Sequence, residues 1–223
     1  SNLTYAYADK GDGKGFLYTN EIPVPQLVGC DRKVKTRIVT LGDSVTQGSQ
    51  TSEFGYQFWA AQLLDQLGTE DYSLWNLGIG YARASDCAQQ GNWLNRAVAG
   101  ADLITVAFGT NDIISGPYGG TGHATPEEIE ADVRKITRTC TDAGIHTILW
   151  NSPPFDMTPE LDGIRTAYNE TVEGIAKDNG ATYFDVASLL ADPSDASKTV
   201  YGQHPNDEGG TVITDALVKL IQE

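Results

Sequence analysis

An open three-layer α/β/α sandwich built on a parallel sheet is the fold this 223-residue sequence predicts, and two observations carry that reading. Five short apolar or β-branched runs, "TRIVTLG" (36–42), "YSLWNLG" (72–78), "DLITVAFG" (102–109), "HTILWNSPP" (146–154) and "ATYFDVA" (181–187), alternate with longer stretches of 3.6-residue period. Such alternation marks parallel strands joined by crossover helices. The apolar share of 40% is enough for one large domain with a sizeable core of its own.

Residues 1–34 stand apart. They are rich in Gly, Tyr, Pro and charge, lack a helical period, and are expected to form an irregular or hairpin-forming arm ahead of a main domain over 35–223. Within that domain the helices show themselves by their ends. "TPEEIEADVRKITRTCTDAG" has Thr125 as N-cap, Pro126 in the first turn, Glu128 closing a capping box and Gly144 as a stop. Its apolar positions Ile129, Val133, Ile136 and Cys140 share a face, so it covers a sheet. "TPELDGIRTAYNETVEGIAKDNG" starts in the same way at Thr158 and ends at Asn179-Gly180. "YQFWAAQLLDQLG" and "GTVITDALVKLIQ" supply the first and last helices.

The formal charge of −15 argues against nucleic acid or an anionic membrane as partner, since both require clustered Lys and Arg. Cys30, Cys87 and Cys140 form no C-x-x-C pair and no H-E-x-x-H helix is present, so no metal site and no cofactor are expected. An odd cysteine count leaves at least one thiol free, and Cys140 reads as a small core residue. No run of eighteen apolar residues is found, so no membrane span is expected, and no retained signal peptide is seen. The chain begins at Ser1, so this does not imply a cytoplasmic home; a soluble, secreted or extracellular protein is the expectation.

In open α/β sheets ligands bind at the carboxyl ends of the strands, which is where chemistry is sought. After the first run comes "LGDSVTQG", with Ser44 at a strand-to-helix turn and Gly42 allowing a tight approach. It departs from the G-x-S-x-G elbow, because Thr46 stands where the second glycine would be. After the second comes "NLGIGYARASD", where Gly78 and Gly80 can bring backbone N–H groups close to a ligand; the G-x-G-x-x-G/A phosphate fingerprint fails at Arg83. After the third comes "FGTNDIISGPYGG", where Asn111 can offer its amide to a developing oxyanion. "TVYGQHPNDEGG" places His204 just before the last helix. Singly, these residues read as caps and turn glycines; four suitable groups at four suitable strand ends point to catalysis.

The blocks "GDSV", "NLG", "GTND" and "HPN" resemble those of the SGNH hydrolases of the GDSL esterase family, over roughly Lys35 to Glu223. The resemblance implies a flavodoxin-like sheet of five parallel strands, Ser44 as nucleophile and His204 as general base. It further implies an oxyanion hole of the Ser44 and Gly78 N–H groups with the Asn111 side chain. One position departs: in the family an aspartate stands three residues before the histidine, and this chain has Tyr201. A main-chain carbonyl orienting His204 in a Ser-His dyad, a displaced acid such as Asp192, Asp195 or Asp207, and a disabled site are the three alternatives. The dyad or displaced acid is favoured, because the other blocks are intact.

Family resemblance implies an ester substrate. Tyr81, Tyr118 and Tyr201, in or beside the strand-end loops, are candidates for substrate binding, with aromatic faces suited to a sugar ring. The expected activity is removal of acetyl groups from a polysaccharide or oligosaccharide through a covalent acyl-enzyme. A short-chain esterase or lipase of broad specificity, or a catalytically weakened carbohydrate-binding domain, are the competing readings. A redox flavodoxin is set aside, since the Ser, Asn and His loops are not needed to hold FMN.

Overall fold

The computed structural model describes residues 7–9, 16–18, 33–49, 57–89, 91–114, 122–190, 200–201 and 204–223. The chain divides into two units, Ser1–Lys33 and Val34–Glu223. In the first, β1 (Tyr7–Asp9) and β2 (Phe16–Tyr18) pair antiparallel, with Tyr7 opposite Tyr18.

The second unit is an α/β sandwich. In chain order it runs β3 (Thr36–Gly42), α1 (Ser44–Gln47), α2 (Trp59–Leu67), β4 (Tyr72–Gly78), α3 (Ala84–Gln89), α4 (Gly91–Gly100), β5 (Leu103–Ala107) and α5 (Thr110–Ile114). It continues through α6 (Pro126–Asp142), β6 (His146–Trp150), α7 (Pro159–Asn179), β7 (Thr182–Phe184), α8 (Val186–Leu189), β8 (Val200–Tyr201), β9 (His204–Pro205) and α9 (Asp207–Gln222). The five-stranded sheet has the order β4-β3-β5-β6-β7 and every pairing in it is parallel. This is the flavodoxin-like order expected from the resemblance.

Side-chain alternation along the strands divides the core. Val39, Leu41, Ile104, Val106 and Leu149 join the apolar faces of α3, α4, α6 and α7 in one buried cluster. On the opposite face α2 packs against α9, and Trp150 meets Trp59 with ring centroids 4.7 Å apart. The central strands are buried on both faces, which is why "TRIVTLG" and "DLITVAFG" read as nearly continuous apolar runs.

The capping signals perform as their chemistry predicts. Thr125 Oγ1 accepts from the N–H of Glu128 at 3.2 Å, and Glu128 Oε2 accepts from the N–H of Thr125 at 2.9 Å, closing the box. Thr158 caps α7, and Gly180 ends it in the left-handed conformation. The last helix begins at Asp207, three residues before the expected Gly210, because Asn206 Oδ1 accepts from the N–H of Gly209 at 2.9 Å and starts the helix there. Cys87 and Cys140 are free thiols sealed in the core, and burial pushes Cys140 up to about 12; Cys30 lies outside the described residues. No described helix is long and apolar enough to cross a membrane.

Candidate active site

The direction of the crossovers places the site. From β3 the chain leaves toward β4, and from β5 it leaves toward β6 on the opposite side, so the crevice opens between the carboxyl ends of β3 and β5. Ser44 follows the first of these strands and Asn111 the second.

Two glycines allow α1 to sit directly on the sheet edge. Gly42 and Gly78 are paired at the ends of β3 and β4. A Cβ on Gly42 would lie 2.1 Å from Thr46 Oγ1 and 2.6 Å from the carbonyl of Ala107. One on Gly78 would lie 2.4 Å from the backbone nitrogen of Gln47. Thr46 is itself fully buried, so this turn needs its glycine before the serine rather than after it. Asp43 caps α1, its Oδ1 accepting from the N–H of Val45 at 2.9 Å. As the first residue of that helix, Ser44 has its own N–H outside the helical bonding pattern.

His204 is held between two elements. Its strand β9 pairs antiparallel with β8, with Tyr201 opposite His204 and Val200 opposite Pro205, and α9 starts at Asp207, directly after its cap Asn206. His204 Nε2 lies 2.8 Å from Ser44 Oγ, joining groups 160 residues apart. Burial lowers the His204 pKa below its ordinary value. Nδ1 is buried and has no hydrogen-bond partner among the described residues. Neither a described carbonyl nor Asp207 supplies one; Asp192 and Asp195 lie outside the described residues, as do Tyr118 and the side chain of Tyr201.

Asn111 is buried in the first turn of α5 and donates through Nδ2 to the carbonyl of Ala82 at 3.1 Å. The N–H of Gly78 donates to Asn76 Oδ1 at 2.8 Å, and Asn76 Nδ2 donates to the carbonyl of Thr46 at 2.8 Å. Asn76 therefore stitches the end of β4 to α1. Tyr81 stands exposed on the loop after β4.

Sequence reasoning did not single out Asn76, Trp59 or the pair Asp43 and Asp112. Trp59 Nε1 donates to the carbonyl of Val45 at 3.0 Å, and its own carbonyl accepts from Thr214 Oγ1 at 2.9 Å. One residue thus ties the Ser44 turn to the helix that follows His204. Asp43 and Asp112 are both buried beside the Ser44 and Asn111 turns. Asp112 accepts from the N–H of Ala84 through both oxygens, each at 3.1 Å. Desolvation, with the neighbouring Asp112 charge adding to it, raises Asp43 to about 7, and desolvation raises Asp112 to about 6. Only the adjacency of these acids to Ser44 and Asn111 in "GDS" and "TND" marks them in the sequence.

The site thus joins serine and histidine in hydrogen-bond contact at the carboxyl edge of a parallel α/β sheet. The chain belongs to the GDSL-like lipase/acylhydrolase family, whose model matches residues 40–212. Solved structures share the fold at low identity. A member of the lipolytic G-D-S-L family from Veillonella parvula superposes with a TM-score of 0.69 at 18% identity, covering 84% of this chain and 98% of that one. The acetyl xylan esterase AlAXEase gives 0.66 at 18%, covering 83% and 99%. The inhibitor-bound aryl esterase of M. smegmatis gives 0.67 at 17%, covering 84% and 98%. No curated protein sequence matches.

Proposed function

We propose that the chain is a serine esterase that removes acyl groups, acetyl foremost, from carbohydrates through a covalent acyl-enzyme. The observation that carries this is the 2.8 Å contact between His204 Nε2 and Ser44 Oγ at the carboxyl edge of the sheet. A hydroxyl becomes a useful nucleophile when a base takes its proton during attack, and hydrogen-bond reach is the first requirement of that base. Ser44 Oγ adds to the ester carbonyl while its proton passes to Nε2. The tetrahedral oxyanion is received by the Ser44 N–H, the Asn111 amide and the Gly78 N–H. For Gly78 this means exchanging a neutral acceptor, Asn76 Oδ1, for an anionic one, and charge-assisted hydrogen bonds are roughly twice as strong. The intermediate collapses, the alcohol leaves with the proton from Nε2, and water attacks the acyl-enzyme with His204 again acting as base.

In this reading His204 works as one half of a Ser-His dyad, or with a displaced acid, Asp192 or Asp195, that lies outside the described residues. A carboxylate on Nδ1 would select the tautomer that leaves Nε2 free and would stabilise the imidazolium. No described residue supplies that carboxylate, and a dyad without one is expected to turn over modestly. The same observation favours the second reading, a carbohydrate-binding domain with weakened catalysis.

The carbohydrate assignment rests on the exposed Tyr81 after β4, on Tyr118 and Tyr201 as candidates from the sequence alone, and on likeness in fold to an acetyl xylan esterase. A soluble protein acting on extracellular polysaccharide, with residues 1–34 as an arm outside the hydrolase domain at 35–223, is part of the proposal. Acetate release from acetylated xylan, compared with p-nitrophenyl acetate, tests it. Faster turnover of the polysaccharide per active site supports a carbohydrate esterase; hydrolysis of p-nitrophenyl acetate alone supports an esterase of broad specificity. Binding of xylan without hydrolysis of either ester supports the weakened domain.

A further inference from the structure

Ile79 and Tyr81 are the large apolar side chains that stand exposed among the described residues, at 48% and 65%. They flank Gly80 on a single turn immediately after β4, closed by the Ala82 N–H donating to the carbonyl of Ile79 at 3.1 Å. Tyr81 is also the one non-glycine residue with positive φ among the described residues, at +64°. It occupies the third position of the turn, where glycine or asparagine is the usual occupant. The glycine of this turn is used for something else: a Cβ at Gly80 would lie 2.8 Å from Gln47 Oε1. The chain therefore carries a tyrosine where the backbone disfavours it, and the ring it displays packs into no core.

Such a conformation persists when the surroundings over-determine it, and strained residues gather at functional sites. Both ends of this turn are tied to the candidate active site. The Ile79 N–H donates to the carbonyl of Gly42, two residues before Ser44, at 3.0 Å. At the other end the carbonyl of Ala82 accepts from Asn111 Nδ2 at 3.1 Å. The turn thus bridges the strand end that carries Ser44 and the turn that carries Asn111, and it presents its apolar face to solvent beside them.

We infer that Tyr81, with Ile79 beside it, is the platform for the alcohol portion of the ester, and that this portion is a pyranose ring lying on the phenol. An open, one-sided aromatic face suits a flat ring within a longer saccharide, whose C–H groups meet the electron-rich face of the tyrosine. A long aliphatic alcohol requires an enclosed apolar cleft instead. The inference rests on the reading of Ser44 and His204 as a carbohydrate esterase and names its specificity determinant on the leaving-group side.

Tyr81→Asn is the decisive variant, because asparagine tolerates left-handed backbone and the turn keeps its shape. Two measurements are made with it: calorimetric binding of unacetylated xylooligosaccharide, and steady-state kinetics on acetylated xylooligosaccharide and p-nitrophenyl acetate. The expected result is about tenfold weaker saccharide binding, a matching rise in KM with kcat nearly kept, and a smaller loss on p-nitrophenyl acetate. Tyr81→Trp should retain binding. Undiminished saccharide binding by Tyr81→Asn overturns the inference, as does an equal loss of kcat on both esters, which would make the turn a support for Asn111. The binding arm separates the two claims: failure of the esterase reading abolishes turnover in the parent protein, and binding by Tyr81→Asn still decides the platform.

Discussion

His204 Nε2 lies 2.8 Å from Ser44 Oγ, while the other nitrogen of the same ring is buried without a partner among the described residues. The imidazole is aimed at the nucleophile, no described residue holds its tautomer, and this asymmetry governs much of the expected behaviour.

Removing either partner should abolish turnover, so Ser44→Ala and His204→Ala are expected to fall to background on p-nitrophenyl acetate. Asn111→Ala should retain a residue of activity, since loss of one oxyanion donor costs on the order of 3 kcal/mol, or roughly a hundredfold in kcat. Equal, complete loss in all three would show that Asn111 supports the fold of the site rather than the oxyanion.

The pH profile follows from burial. Neutral imidazole is the base, and desolvation lowers the His204 pKa, so kcat/KM should rise with pH through an inflection below the ordinary imidazole value of about 6.5. Position 201 faces His204 across the β8–β9 ladder. Tyr201→Asp should therefore supply the missing carboxylate, raise kcat and move the inflection upward, as an adjacent negative charge favours imidazolium. A pH–rate series on both proteins that shows coincident inflections would count against this account.

Asp43 should make stability depend on pH in the opposite sense to an ordinary salt-bridged acid. Its folded pKa of about 7 exceeds the unfolded value of about 3.9, so the folded chain keeps a proton that the unfolded chain has lost. The contribution is fully present below about pH 4 and is lost as pH rises through 7, with Asp112 acting in the same direction up to about 6. Asp43→Asn keeps an oxygen to cap Val45 and removes the charge. Its Tm should gain on that of the parent between pH 5 and pH 8; parallel Tm curves would refute the assignment.

Glycine 78 is a steric requirement. Gly78→Ala drives a Cβ into the backbone of α1 at Thr46 and Gln47, contacts that cannot rotate away, so a loss of about 3 kcal/mol or more is expected in urea unfolding. Gly163→Ala, within α7 and with nothing inside 4 Å of the added carbon, should instead stabilise by about 0.5–1 kcal/mol.

Much of this was legible in the chain because it is local. Strands β3 and β4 span the quoted runs residue for residue, each ended by a glycine, and α6 and α7 follow their threonine caps. Helices α3 and α4 escaped because "ARASDCAQQGNWLNRAVAG" contains a mid-run glycine and few strong apolar positions. Asn111 belongs to a short helix rather than a loop, which no periodicity over five residues can reveal. Trp59 and Asn76 were invisible as organisers because their partners lie between 14 and 155 residues away. The empty side of His204 has the same origin: sequence shows that Asp is missing at 201, and only the assembled site shows that nothing described replaces it.

Labelling of the folded protein at pH 8 with a serine-directed fluorophosphonate, read by intact and peptide mass spectrometry, tests the central claim most directly. The account predicts one adduct, on Ser44, that is lost in Ser44→Ala and strongly slowed in His204→Ala. No adduct on the folded protein, or an adduct on another residue, would contradict it.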